Sequence, residues 1–359
     1  REVARREQCR RRRVRRGLPA PRAAEGSPRR PVGEDSRAPL AAAEHQTILD
    51  ASRRSLDTQG GRAYPPTIMT APKILAAATA TPPHFFSQER LAGLAGYADR
   101  KRAGFFANSA IEGRYLYLDP HHPRTDESVD ELNERFRQGA LELGEAAARR
   151  CLTRAGWEIR DVDFLATTTC TGRLCPSLDA HLISRLGCRP DIQRVHVGDT
   201  GCASAMVALQ QAANHLAAFP DSRALVVAAE ICSAAYTMDG RLETAVAHAI
   251  FADGAGAVAL ATRGDGPSLV CHRTLFRPEH LPLMGFDYPG GRPRIILAKE
   301  VRKIAGAMMR EMALQLMASQ GLKREEIRFW ILHSAGRRVL EEARRLLDLD
   351  EPDVAFSRA

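Results

Sequence analysis

From residue 69 onward the sequence predicts an α/β fold, and three observations carry that prediction. Short apolar runs alternate with stretches whose apolar residues recur at helical spacing. The apolar share is 44% of 359 residues, which is ample for a large core. The excess charge sits outside that body: residues 1–30 hold twelve Arg against three Glu, and residues 1–68 account for +8 of the total +9. The remainder is close to neutral, so the basic character belongs to the start of the chain. These figures exclude a disulfide miniprotein, a collagen-like chain and a wholly disordered one. No apolar run reaches the ~18 residues that a membrane-spanning helix needs.

Taken in order, residues 1–68 read as a disordered leader or a mis-set translation start. Arg10 to Arg13, then Arg15 and Arg16, are followed by Pro, Ala and Gly without an apolar period. Such a segment buries too little surface to offset its ordering entropy. It lacks the apolar stretch of a secretory signal and the amphipathic pattern of a transit peptide. A basic arm on nucleic acid is the functional alternative. Met69 opens the body, and Lys73 to Ala78 reads as its first strand. Asp163 to Thr169 is a buried strand, and Leu178 to Leu186 a helix with Leu178, Leu182 and Leu186 on one face. Arg194 to Val197 is a short strand. Met206, Leu209, Ala213 and Leu216 share one face of the next helix. Ala224 to Ala228 and Ala255 to Leu260 are strands. Residues 300–320 form a helix rich in Met and Ala, Phe329 to Leu332 a strand, and residues 336–347 a last helix.

The eight cysteines form no CxxC pair and no metal-type spacing with His, so no metal site is expected. Most should be small buried apolar residues. Cys202 stands apart. It follows Val197-Gly198-Asp199-Thr200-Gly201, between a strand and the start of an amphipathic helix. A thiol at a helix N-terminus should have a lowered pKa, with N–H groups nearby for an oxyanion. A thiolate nucleophile needs a His partner. Of eleven His, His333 is the best placed, where the apolar run Phe329 to Leu332 opens into Ser334-Ala335-Gly336. The bland alternatives are a buried structural Cys and a satisfied core or surface His.

These residues carry a resemblance. Asp199-Thr200-Gly201-Cys202-Ala203-Ser204-Ala205 resembles the nucleophile motif of type III polyketide synthases, the chalcone synthase-like branch of the thiolase fold. Phe251-Ala252-Asp253-Gly254-Ala255 is similar to the family's Phe-Gly-Asp-Gly-Ala segment, and Trp330 to Gly336 to its Trp-x-x-His-Pro-Gly-Gly. Arg114-Tyr115-Leu116-Tyr117-Leu118 also fits. The resemblance covers roughly residues 70–359. Glu230 to Tyr236 and Asn108 to Ile111 look most like the bacterial branch that makes 3,5-dihydroxyphenylacetyl-CoA.

The resemblance implies two duplicated mixed-sheet halves in αβαβα layers. The first half, residues 69–262, would carry the nucleophile. The second, residues 263–359, would carry the catalytic His and be incomplete. It implies a Cys-His-Asn triad in a homodimer, with no metal or organic cofactor. Cys202 would accept the acyl group, His333 would be the triad His, and Phe251 would stand as gatekeeper between a CoA tunnel and the cavity. Cys170, Ala235 and Ile295 would shape the cavity, Cys175 would reach the partner's cavity, and Lys101 would contact a CoA phosphate, with Gly104 and Asn108 at the family's other basic positions. No Asn follows His333, so the chain is expected to be truncated before the triad Asn. The implied reaction is iterative decarboxylative condensation of malonyl-CoA onto an acyl-CoA starter, in the cytoplasm and without a membrane or nucleic-acid partner. A ketoacyl-carrier-protein synthase III-like enzyme of the same fold is the rival reading. A nucleic-acid-binding protein acting through the Arg-rich arm is a rival of another class.

Overall fold

The computed structural model describes residues 71–121 and 126–358. The Arg-rich leader, Cys9 and the start at Met69 lie outside the described residues. Within residues 66–359 the described residues form one compact unit.

Its centre is a five-stranded sheet. Strand β1 (Lys73–Ala80) lies at one edge. After it come a small antiparallel pair, β2 (Phe85–Ser87) and β3 (Gly113–Tyr115), with helices α1 (Gln88–Leu94) and α2 (Arg100–Ala107) between them. Helix α3 (Val129–Ala155) precedes β4 (Phe164–Thr169). Then α4 (Leu178–Leu186), β5 (Gln193–Gly198), α5 (Ser204–Ala218), β6 (Ala224–Ile231), α6 (Leu242–Ile250) and β7 (Asp253–Ala261) follow. The strand order is β1-β7-β6-β4-β5. Strands β4, β5 and β6 run parallel, and β7 is antiparallel to both β6 and β1.

The sheet is covered on both faces, so its central strands are buried along most of their length, the threonines of β4 included. All six residues of β4 are buried. Side chains alternate between the two faces: Leu165, Leu225 and Val227 pack with α3 and α4, while Phe164, Ala166, Ala224 and Val226 pack with α5. Helix α3 starts on a capping box formed by Ser128 and Glu131 and stops at Gly156, which has the left-handed φ of 68°. Gly139 lets α3 approach the sheet, because a Cβ there would lie 2.9 Å from the Ile231 Cδ1.

Most expected elements are present, and two expectations fail. On α5 the buried residues are Ser204, Ala208, Ala212, His215 and Leu216; of the expected face Leu216 is buried and Leu209 packs on the core, while Met206 is 59% exposed. The small residues face the sheet because only they let the helix pack closely. The second failure is the strand at Phe329 to Leu332. No ladder forms there, and none of the nine described strands lies beside it. Its backbone bonds a side chain instead: the Leu332 N–H donates to the Ser357 hydroxyl at 2.9 Å. Trp330 is buried but Ile331 is 82% exposed.

Beyond β7 the described chain forms a hairpin, β8 (Met284–Asp287) with β9 (Arg294–Leu297), then α7 (Val301–Gln320), α8 (Arg337–Leu347) and the short α9 (Ala355–Arg358). Among the described residues this part adds no second large sheet. Its small core joins Trp330, Leu340, Leu347, Leu349 and Val354. No described helix is long and apolar enough to cross a membrane.

Candidate active site

Because β4, β5 and β6 are parallel, their C-terminal ends reach the same edge of the sheet. That edge is where ligands bind in sheets of this kind. Thr169 of β4 sits opposite Gly198 of β5, and Glu230 lies near the end of β6.

Cys202 leaves β5 through a sharp turn. Asp199 and Gly201 both take left-handed backbone, with φ of 58° and 68°. A non-glycine residue held there is strained, and such residues gather at functional sites. The Ser204 hydroxyl, which donates to the Gly201 carbonyl at 2.6 Å, helps to hold the turn. Cys202 lies in a single 3₁₀ turn, Gly201–Ala203, and α5 begins only at Ser204.

The electrostatics reverse the expected thiol shift. Burial pushes the Cys202 pKa up, and the Glu230 carboxylate adds to the rise. The residue keeps a solvent-exposed side while protein crowds the rest of it. The helix-terminus argument fails because the thiol precedes the α-helix proper and faces a buried carboxylate. His333 is exposed and forms no hydrogen bond with Cys202. Desolvation lowers its pKa below the ordinary histidine value, which favours the neutral imidazole.

Glu230 received no role from the sequence, and its signal was an acid ending an otherwise apolar strand. Its carboxylate accepts from the Cys170 N–H at 2.9 Å, the Thr169 hydroxyl at 3.2 Å and the Thr171 hydroxyl at 2.7 Å. Burial raises its pKa, against the pull of those donors. Thr171 in turn accepts from the Ile231 N–H at 2.9 Å. The network ties the ends of β4 and β6 together beside the nucleophile turn.

A cavity of about 250 Å³ opens at this edge. It is lined by Asn133 and Phe136 of α3, Cys170 to Arg173, Asp199, Ala234, Ala235, Phe286 and Tyr288, among others. Two expected cavity residues, Cys170 and Ala235, are therefore in place. Burial, Glu230 and the neighbouring Cys202 push the Cys170 thiol well up. Ile295 does not line this cavity; it is buried in β9, paired across the hairpin with Phe286, which does. Cys175 is exposed and also lies outside the lining. Lys101 is exposed on α2. Phe251 is half-buried at the end of α6. Of the seven described cysteines only Cys151 is fully buried, so the expectation of mostly buried thiols does not hold.

Residues 112–264 match the family model described as chalcone and stilbene synthases, N-terminal domain. The chain is 34% identical over 326 residues to a 3,5-dihydroxyphenylacetyl-CoA synthase of Streptomyces toyocaensis, covering 87% of this chain and 83% of the relative. The chain belongs to the type III polyketide synthases. It is also 30% identical to a 1,3,6,8-tetrahydroxynaphthalene synthase of Streptomyces peucetius subsp. caesius, over 79% of this chain and 78% of that one. The crystal structure of PKS-I from the brown alga Ectocarpus siliculosus superposes with a TM-score of 0.74 at 26% identity, covering 80% and 83% of the two chains. The α/β architecture of this synthase is thus thiolase-like, and its chemistry is decarboxylating acyl transfer. The carrier-protein-dependent rival is not favoured, and the nucleic-acid reading rests on residues outside those described.

Proposed function

We propose that this synthase makes 3,5-dihydroxyphenylacetyl-CoA from malonyl-CoA, with Cys202 as acyl acceptor and His333 as its base. The observation that carries this reading is the 250 Å³ cavity at the strand ends, lined by Cys170 and Ala235 and edged by Asp199 of the nucleophile turn.

Burial pushes the Cys202 thiol up and the His333 imidazole down. Both directions favour the neutral forms, so in this reading His333 takes the proton as the thiol attacks rather than holding a preformed ion pair. The thiol sulfur bonds to the thioester carbon of the starter, and CoA leaves as the thiol. Malonyl-CoA then loses CO2, and the electron pair of the broken C–C bond becomes an enolate. That carbon attacks the Cys202 thioester and expels the Cys202 thiolate. The lengthened chain is now a CoA thioester. The Cys202 sulfur attacks its carbonyl and expels CoA before the next round, and holding the chain there makes each condensation effectively intramolecular. Substrate filling the cavity displaces the water that would quench the enolate. Phe251 serves as the gate between CoA channel and cavity, Ile295 acts on the cavity through its hairpin neighbour Phe286, Cys175 reaches the partner's cavity and Lys101 contacts the CoA phosphate. The synthase acts as a homodimer in the cytoplasm and uses CoA thioesters as substrates without a resident cofactor.

Incubation with malonyl-CoA alone, read by mass spectrometry, should give the dihydroxyphenylacetyl thioester. Cys202→Ala should lower condensation by ~1000-fold or more, as loss of a nucleophile does elsewhere, while some malonyl-CoA decarboxylation persists. Turnover only with a long-chain or aromatic starter would sink the product assignment. Acyl adducts on Cys170 or Cys232 would sink the assignment of Cys202.

A further inference from the structure

Arg114 is 4% exposed, and its hydrogen bonds among the described residues go to carbonyl, amide and hydroxyl oxygens. A buried guanidinium in that position is costly unless its N–H groups are hydrogen-bonded. The fork reaches the end of α6. One terminal nitrogen donates to the Phe251 carbonyl and, at 3.2 Å, to the Tyr236 hydroxyl. The other donates to the His248 carbonyl and, at 3.1 Å, to the Gln88 side-chain oxygen. Gln88 in turn donates to the Ala249 carbonyl at 2.8 Å. Arg114 and Gln88 therefore satisfy the carbonyls of His248, Ala249 and Phe251, which a helix end leaves without intrahelical partners. A cation is favourable at that end of a helix.

The same segment grips the far side of the turn. The Tyr117 N–H donates to the Asp253 carboxylate at 2.6 Å, and the Ser233 N–H to its other oxygen at 2.8 Å. The stretch from Phe251 to Asp253 is thus held at both ends by residues 114 to 117. The Tyr236 hydroxyl adds a second donor to the Phe251 carbonyl at 3.2 Å. The arrangement leaves the Arg114 Nε buried without a partner. The guanidinium is aimed at the turn's carbonyls at the expense of its own full satisfaction.

We propose that Arg114 is a positioning residue for Phe251. By fixing the Phe251 carbonyl it fixes the backbone from which the ring projects, and so the angle at which the ring divides CoA channel from cavity. This rests on the reading of Phe251 as the gate. A lysine at position 114 would keep the charge, but its single ammonium cannot reproduce the planar fork. The ring would then shift, and malonyl-CoA would decarboxylate without its enolate meeting the Cys202 thioester.

The test measures CO2 released per polyketide formed, KM for malonyl-CoA and the thermal midpoint in four proteins: the parent, Arg114→Lys, Phe251→Ala and the double variant. Arg114→Lys should raise CO2 per product on the order of tenfold, the scale of a sub-ångström misplacement, and raise KM. Added to Phe251→Ala it should change neither further. A lowered midpoint with unchanged CO2 per product and KM would make Arg114 purely structural. An effect that persists in the Phe251→Ala background would show that Arg114 does not act through the ring. Either result overturns the clamp while leaving the gate intact. If Phe251→Ala alone changes neither quantity, the gate reading falls and the clamp with it. Should Arg114→Lys fail to fold, Tyr236→Phe removes one donor from the same carbonyl. It should raise CO2 per product only while Phe251 is present, and no change would overturn the proposal.

Discussion

The layered sheet and the C-terminal helices show two ways of holding a functional side chain. Cys202 follows directly from β5, whose neighbour β4 is buried throughout and clamped between helices on both faces. His333 follows a segment without a ladder, anchored by buried Trp330 and two bonds with the Ser357 hydroxyl, which accepts from the Leu332 N–H and donates to the Trp330 carbonyl. Beside it, α8 buries Val339, Leu340, Ala343 and Leu347 on one face, while among the residues of α7 only Gly306 is fully buried. A close-packed sheet fixes a nucleophile before substrate arrives. A thin helical layer holds a partner residue with fewer constraints, consistent with the absence of a Cys202–His333 hydrogen bond.

A large effect should come from the sheet. Leu165 has no exposed surface and sits between α3 and the strands. Leu165→Ala should lower unfolding free energy by about 2–5 kcal/mol, because the packed layers cannot close around the lost methyls. Urea unfolding would show it. A loss below about 1 kcal/mol would mean that the layers collapse freely and that the two regions are alike.

A second effect links the sheet region to pH. Burial, and then Arg114, lower the His248 pKa from 6.5 to about 4. In the unfolded chain the ring takes up its proton near 6.5, whereas the folded protein resists until about 4. The folded state therefore binds fewer protons in that window. The stability is fully present above 6.5 and lost as pH falls through it, by on the order of 3 kcal/mol. Urea midpoints of the parent and His248→Gln should diverge from pH 7 to pH 4, the parent falling more steeply. Parallel curves would show that the ring is solvated.

The difference between the regions also decided what could be read from the chain. Strands β6 and β7 announce themselves as apolar runs, and β4 as an apolar start followed by β-branched threonines, because burial on both faces leaves no alternation to interpret. Leu178, Leu182 and Leu186 gave α4 its buried face. Phe329 to Leu332 has the same local signature, but a strand also needs a neighbour, which no local pattern encodes. The Met206 face misled because long apolar side chains outweigh alanine in a periodicity, while the tight contact on the sheet wants alanine and serine. The motif around Cys202 located the turn but not its electrostatics. Glu230 is 28 residues away in sequence and acts on the thiol only through the fold. Arg114 was visible as part of a motif, yet its task depends on helix carbonyls that composition does not reveal.

The smallest expected effect probes the C-terminal layer directly. Ile331 is 82% exposed, although it lies between buried Trp330 and the backbone of Leu332 that bonds Ser357. As the inward residue of a covered strand it would be worth about 2 kcal/mol or more on replacement by a small polar residue. As an exposed side chain on an unpaired segment it should contribute almost nothing. Ile331→Ser should therefore shift the unfolding free energy by no more than about 0.5 kcal/mol. Trp330→Ala, one residue earlier, should cost about 3–5 kcal/mol if the small core around it packs to native density. The contrast between adjacent positions separates a segment tied down by one buried anchor from a strand held along its length. A loss of several kcal/mol at Ile331 would show that protein covers this face in solution. The two regions would then differ in composition but not in how firmly they hold Cys202 and His333.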